Sequence, residues 1–242
     1  MLPIKDNIPT DRLPVVTLAL IAVSVLVYFV LARGGIASGP THASMLHFGA
    51  IPAEVTGREP DAGPVTAWAT LVTALFLHGG VLHLAGEMLF LWWFGTSVED
   101  AMSRPRFLAF YLLAGLCAIG LQVALDPGAT APALGASGAI AGVIGGYLAL
   151  YPRARFVSIA LVPLMFTLIE LPAWILAGVW LLMQAGFAAT SLAHPLGGSG
   201  SVAFLAQAGG LAFGLLAIRA FAQRRKRLPP PSAPRPAKAV LR

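Results

Sequence analysis

The sequence predicts an all-α polytopic membrane protein, and three observations carry that reading. Of 242 residues, 57% are hydrophobic and only 11% are charged, where a soluble domain carries about 25% charge. The apolar residues gather in runs long enough to cross a bilayer. The basic residues sit at the ends of those runs and in the last stretch of the chain, as membrane topology requires. The formal net charge of +6 therefore does not point to nucleic acid, which is excluded as a partner. A single cysteine, Cys117, permits no intramolecular disulfide and reads as a small core residue within an apolar run.

Residues 1–13 are polar, with Lys5 and Arg12, and are expected as a cytoplasmic N-terminus. Residues 14–32 form the first apolar run. It exceeds a signal-peptide core in length and more spans follow, so it reads as a retained helix. Residues 33–67 are a long connection of Gly, Pro and mixed charge, and loops of that length are functional or disordered. Its segment 45–51 is apolar enough for the membrane interface, and His42 and His47 read as ordinary loop histidines. Residues 68–95 are the second span, followed by a polar connection through Ser97, Glu99, Asp100, Arg104 and Arg106. Residues 107–125 are the third span and 126–136 a Pro/Gly/Ala loop. Residues 137–151 are the fourth helix. Residues 156–187 hold the fifth span, with Pro163, Glu170 and Pro172 near its start. A Gly-rich loop with His194 leads to the sixth span, residues 201–221. Residues 222–242 are a basic, Pro-rich tail expected to be disordered. Lys and Arg favour one side at every second connection, which places both termini in the cytoplasm.

Two features exceed what spanning requires. The second span carries His78, His83 and Glu87. An ionisable group at mid-bilayer costs about 2.5–3.5 kcal/mol on insertion scales, so such groups face a cavity or a partner and are functional candidates. His83 and Glu87 are four apart and share one helix face. The fourth helix is the second feature. It covers roughly 21 Å against a hydrocarbon core of about 30 Å. It therefore tilts, or begins below the membrane surface at the foot of a dipping loop. The latter places Ser137 at a helix N-terminus beside a cavity, with free backbone N–H groups. Gly138, Gly142 and Gly146 recur every four residues on the fourth helix, as do Gly210 and Gly214 on the sixth. Small residues at that spacing let helices approach closely. Such pairing would bring Ser137 near Gln207, which shares a face with Gly210 and Gly214.

Residues 76–92, FLHGGVLHLAGEMLFLW, resemble the second helix of the rhomboid intramembrane serine proteases. Gly135-Ala-Ser137-Gly138-Ala-Ile-Ala-Gly142 is similar to the nucleophile motif of their fourth helix. Pro172-Ala-Trp174 resembles their fifth, and residues 202–214, VAFLAQAGGLAFG, their sixth. The likeness runs from about residue 14 to 221, with the motifs in order. It implies a six-helix rhomboid-like bundle over residues 14–221, with a short fourth helix beginning inside the membrane. An integral protein of the bacterial inner (plasma) membrane is expected. The partners implied are the lipid bilayer and transmembrane segments of other membrane proteins. No cofactor or metal is implied.

The resemblance also assigns roles. The serine matching Ser137 attacks the peptide carbonyl, and a sixth-helix histidine takes its proton. Residues matching His83 and an asparagine at position 87, with backbone N–H groups at the serine, stabilise the oxyanion. The first loop braces the fold, and the fifth helix with its following loop gates entry. Two positions depart: Gln207 stands for the histidine and Glu87 for the asparagine. A glutamine amide offers no usable base near neutral pH. Loss of a triad member costs on the order of 10⁴–10⁶ in turnover. A carboxylate at position 87 repels developing negative charge, whereas a protonated one donates a hydrogen bond. The leading expectation is a pseudoprotease that binds membrane helices. One alternative is an active enzyme in which Glu87 orients His83 as base toward Ser137. Another is a zinc site from His78, His83 and Glu87. A transporter would need more buried charge than Glu87 and Glu170 supply.

Overall fold

The computed structural model describes residues 2–32, 39–61, 63–162, 165–192 and 200–223. In chain order these form β1 (Leu2–Asp6), α1 (Val15–Leu31), α2 (His42–Phe48), α3 (Pro52–Val55) and α4 (Ala67–Thr73). A 3₁₀ turn, Ala74–Phe76, extends α4. Then follow α5 (Val81–Asp100), α6 (Arg104–Leu125), α7 (Ser137–Leu150), β2 (Arg155–Val162), β3 (Met165–Pro172), α8 (Ala173–Leu192) and α9 (Gly200–Phe221). The expected six-helix bundle is α1, α5, α6, α7, α8 and α9. By length and composition α5, α6 and residues Phe204–Phe221 of α9 are able to cross a membrane. His194 and the residues beyond 223 lie outside the described residues.

The short helix α7 is the centre of the bundle. Every residue from Gly138 to Tyr147 is buried, against α5, α6 and α9. Its glycines are contact points. A Cβ on Gly210 would overlap the carbonyl of Gly138, and one on Gly214 that of Gly142. Cβ atoms on Gly138 and Gly142 would overlap Ala118 and Ala114 of α6. The expected small-residue pairing of the fourth and sixth helices is thus a backbone-to-backbone contact. Outside this centre, leucines such as Leu182 and Leu216 are largely exposed, as suits side chains facing lipid.

Four expectations need correction. The second span is not one helix from residue 68 to 95. It breaks between Phe76 and Val81, where His78, Gly79 and Gly80 stand; glycine is poor in helix interiors because it loses the most backbone freedom. The residues read as a polar connection after that span are the last turn of α5, with Ser97, Glu99 and Asp100 all buried. The fifth span does not begin at residue 156. Residues Arg155–Val162 and Met165–Pro172 form an antiparallel hairpin, pairing Arg155 with Pro172 through Val162 with Met165. Apolarity alone does not separate a buried strand from a helix, and here β-branched and aromatic residues favour the strand. Cys117 is exposed on α6 rather than buried in the core.

The N-terminal residues add β1 to this hairpin in the order β1-β2-β3, with Lys5 opposite Val157 and Asp6 opposite Phe156. Phe156 packs against Phe94 and Tyr147, with ring centroids 5.2 Å and 6.0 Å away. Three carboxylates tie this end together. Asp6 Oδ2 accepts from Ser97 Oγ at 2.6 Å and Tyr147 OH at 2.8 Å. Asp100 Oδ1 accepts from the backbone N–H of Asp11 and Arg12. Glu99 accepts from Val16 N at 2.9 Å, Thr17 N at 2.8 Å and Thr17 Oγ1 at 2.7 Å. Pro14, at the N-cap of α1, offers no side-chain acceptor, so Glu99 supplies the cap from another helix and places negative charge at the positive dipole end.

Candidate active site

Ser137 is the first residue of α7, below a loop fixed on both sides. Ala50 and Ala133 exchange backbone hydrogen bonds of 3.1 and 2.8 Å, and Gly135 N donates to Ala74 O at 2.9 Å. Gly135 has φ +105°, a conformation that favours glycine. Thr73 Oγ1 donates to Phe48 O at 2.6 Å, which fastens the first long loop to α4. The bracing role that the resemblance gave this loop matches these contacts.

Ser137 and Gln207 line one cavity of about 30 Å³, together with Gly135, Gly138, Ala206 and Gln122. That volume admits about one or two waters. Ser137 is half-buried. Gln207 Oε1 and Gln122 Nε2 are buried without a hydrogen-bond partner. No histidine lines this cavity among the described residues. Gln122 was not singled out in the sequence, although it is a polar residue in an apolar span, the same signal that picked out Glu87.

His78, His83 and Glu87 form a second cluster. Glu87 is fully buried. Its Oε2 lies 3.0 Å from His78 Nε2. His78 Nδ1 is 3.2 Å from Phe76 O; a carbonyl only accepts, so this nitrogen carries a proton. One proton then lies between Nε2 and Oε2, whether formally on the ring or on the carboxyl. His83 Nε2 approaches Glu87 Oε1 to 2.8 Å, but the ring N–H is poorly aimed and Oε1 has no hydrogen-bond partner. Phe187 of α8 packs on His83 with ring centroids 4.7 Å apart. Among the described residues no group of three or more His, Cys, Asp or Glu side chains is arranged to hold a metal ion. The zinc alternative therefore has no geometric support.

The two clusters meet at Gly135. A Cβ there would sit 3.6 Å from both Glu87 Oε1 and His83 Cε1, and Gly135 also lines the Ser137 cavity. Ser137, Gln207, His83, Glu87 and His78 are thus gathered in one region. A hydrogen bond from Ser137 to Gln207 or to His83 is not formed among the described residues.

Residues 65–224 match the Rhomboid domain family. The chain is 36% identical over 146 residues to "Rhomboid protease GluP" of Bacillus subtilis, covering 59% of this chain and 26% of that protein. It is 31% identical over 99 residues to the human "Presenilin-associated rhomboid-like protein, mitochondrial", covering 40% and 26%. It is 34% identical over 95 residues to "Rhomboid protein 1, mitochondrial" of Saccharomyces cerevisiae, covering 38% and 28%. The matched stretch spans about a quarter of the length of each relative. The bundle, the order of its motifs and a family match over more than half of the chain agree: this is an integral membrane protein of the rhomboid family.

Proposed function

We propose that this chain is a rhomboid pseudoprotease of the bacterial inner membrane, with both termini in the cytoplasm. It engages transmembrane segments of client proteins without cutting them. The observation that carries the reading is Gln207, placed at the Ser137 cavity where a base is required. An amide there cannot accept the serine proton near neutral pH. Glu87 supports it further, since an acceptor oxygen, 2.8 Å from His83 Nε2, stands at a position where the resemblance implies a hydrogen-bond donor to an oxyanion. Loss of the base leaves the membrane-helix binding of the family intact, because that depends on the bundle and not on proton transfer.

An active enzyme with His83 as base is the second reading, favoured by the 2.8 Å approach of His83 Nε2 to Glu87. The poor aim of that contact counts against it, because a triad acid works by orienting the ring.

A fluorophosphonate probe on detergent-purified protein separates the two. Wild type is expected to stay unlabelled and Gln207→His, or Gln207→His with Glu87→Asn, to become labelled at Ser137. Labelling of wild type that Ser137→Ala and His83→Ala both abolish would replace the pseudoprotease by the rewired enzyme.

A further inference from the structure

A cleft of about 720 Å³ opens at the end of the bundle that carries β1, within the size range of ligand sites. Its cationic groups are Lys5 and Arg12, its hydroxyls Thr10 and Thr96, and its apolar wall Trp92 and Val157. Trp92 and Thr96 lie one turn apart on α5, and Asp100 follows on the same face. Asp100 holds the backbone N–H of Arg12 at 3.1 Å, so the chain at the mouth of the cleft is fixed. Trp92 is 40% exposed while the adjacent Trp93 is 8% exposed. Tryptophan in that position matches the membrane–water interface.

The sign of the cleft is positive. Neither Lys5 nor Arg12 forms a salt bridge among the described residues. Asp6 also lines the cleft, but its Oδ2 is taken by Ser97 and Tyr147 and its Oδ1 accepts from Ile8 N at 3.3 Å. Asp6 attracts Lys5 at longer range, but its oxygens are held by the protein, and neither base is locked to a carboxylate in a direct ion pair among the described residues.

We infer that this cleft binds the headgroup of an anionic phospholipid. Its phosphate lies against Lys5 and Arg12, Thr10 and Thr96 are hydrogen-bond donors to it, and an acyl chain runs along Trp92. Charge complementarity selects the headgroup, and the interfacial tryptophan selects a lipid over a soluble anion. The inference is independent of which leaflet the N-terminus faces and of whether Ser137 is reactive.

The test uses the full chain in phosphatidylcholine nanodiscs containing a fixed fraction of either dibrominated phosphatidylglycerol or dibrominated phosphatidylcholine. Quenching is assigned to Trp92 by difference from Trp92→Phe. The brominated phosphatidylglycerol is expected to quench Trp92 more strongly. That preference should fall by roughly fivefold for each basic side chain removed in Lys5→Gln and Arg12→Gln, and Lys5→Arg with Arg12→Lys should retain it. The pair Arg153→Gln and Arg219→Gln removes the same charge from exposed residues at the same end and should leave it unchanged. Equal quenching by both lipids overturns the proposal. So does an equal loss in the control pair, which means diffuse attraction. Abolition of the preference by millimolar inorganic phosphate also overturns it, since the ligand is then a free anion.

Discussion

Glu87 holds together groups that would otherwise be buried without partners. Its Oε2 is the partner of His78 Nε2, and both side chains are fully buried. Glu87→Ala orphans the imidazole and is expected to cost about 1–3 kcal/mol or more. Glu87→Gln keeps a polar group facing both histidines and should cost less; thermal unfolding in detergent ranks the two. At the other end of the bundle, burial raises the Asp6 carboxyl above its usual value, opposed by the hydrogen bonds from Ser97 and Tyr147. The folded state then keeps this proton to higher pH than the unfolded chain. Stability is therefore lost as pH rises from about 4 through the raised folded value. Asp6→Asn should flatten that part of the Tm profile against pH. Ser137, His83, Glu87 and Gln207 were legible in the sequence because each is polar within an apolar run. Asp6 was not, because its meaning lies in Ser97 and Tyr147, residues distant in sequence.

Among the elements, α7 and α9 make the tightest pair, and it rests on the absence of side chains. Any Cβ at Gly214 meets the Gly142 carbonyl, which is backbone and has no rotamer to yield. Gly214→Ala is expected to cost about 1–3 kcal/mol through overpacking. Gly79→Ala, where nothing lies within contact, is the neutral control in the same unfolding assay. The cap that Glu99 lends to α1 is a second inter-element dependence. Glu99→Ala removes three hydrogen bonds at once and should destabilise by about 2 kcal/mol or more. The glycine spacing was readable because it is a period on one helix. The hairpin of β2 and β3 was not, because sixteen strand residues of mostly apolar type carry no helix-specific or strand-specific period.

At the scale of the whole molecule, the ends of the helices sort the charged residues. Lys5 and Arg153 belong to the end built from β1, β2 and the last turn of α5, whereas Asp126 follows α6 at the opposite end. In a Cys117→Ser background, Lys5→Cys and Arg153→Cys should resist a membrane-impermeant maleimide in intact cells, and Asp126→Cys should react. The reverse pattern would invert the proposed orientation while leaving the bundle as described. The apolar runs that became the bundle helices were legible because lipid forces apolar runs with basic ends. The sheet at one end was not, since β2 and β3 read as part of an apolar span and β1 pairs with residues distant in sequence.

The sheet also orders assembly in time. Residues 2–6 are made long before their partner, residues 156–159 of β2. By then α1, α5, α6 and α7 have been synthesised. The first strand must therefore wait with an open edge while these four helices enter, and its docking can only follow them, with α8 and α9 still to come. Contacts of such separation form slowly, because the intervening chain must be ordered first. Translation supplies this protein from its N-terminus, but that end of the fold is settled only after the chain has returned to it.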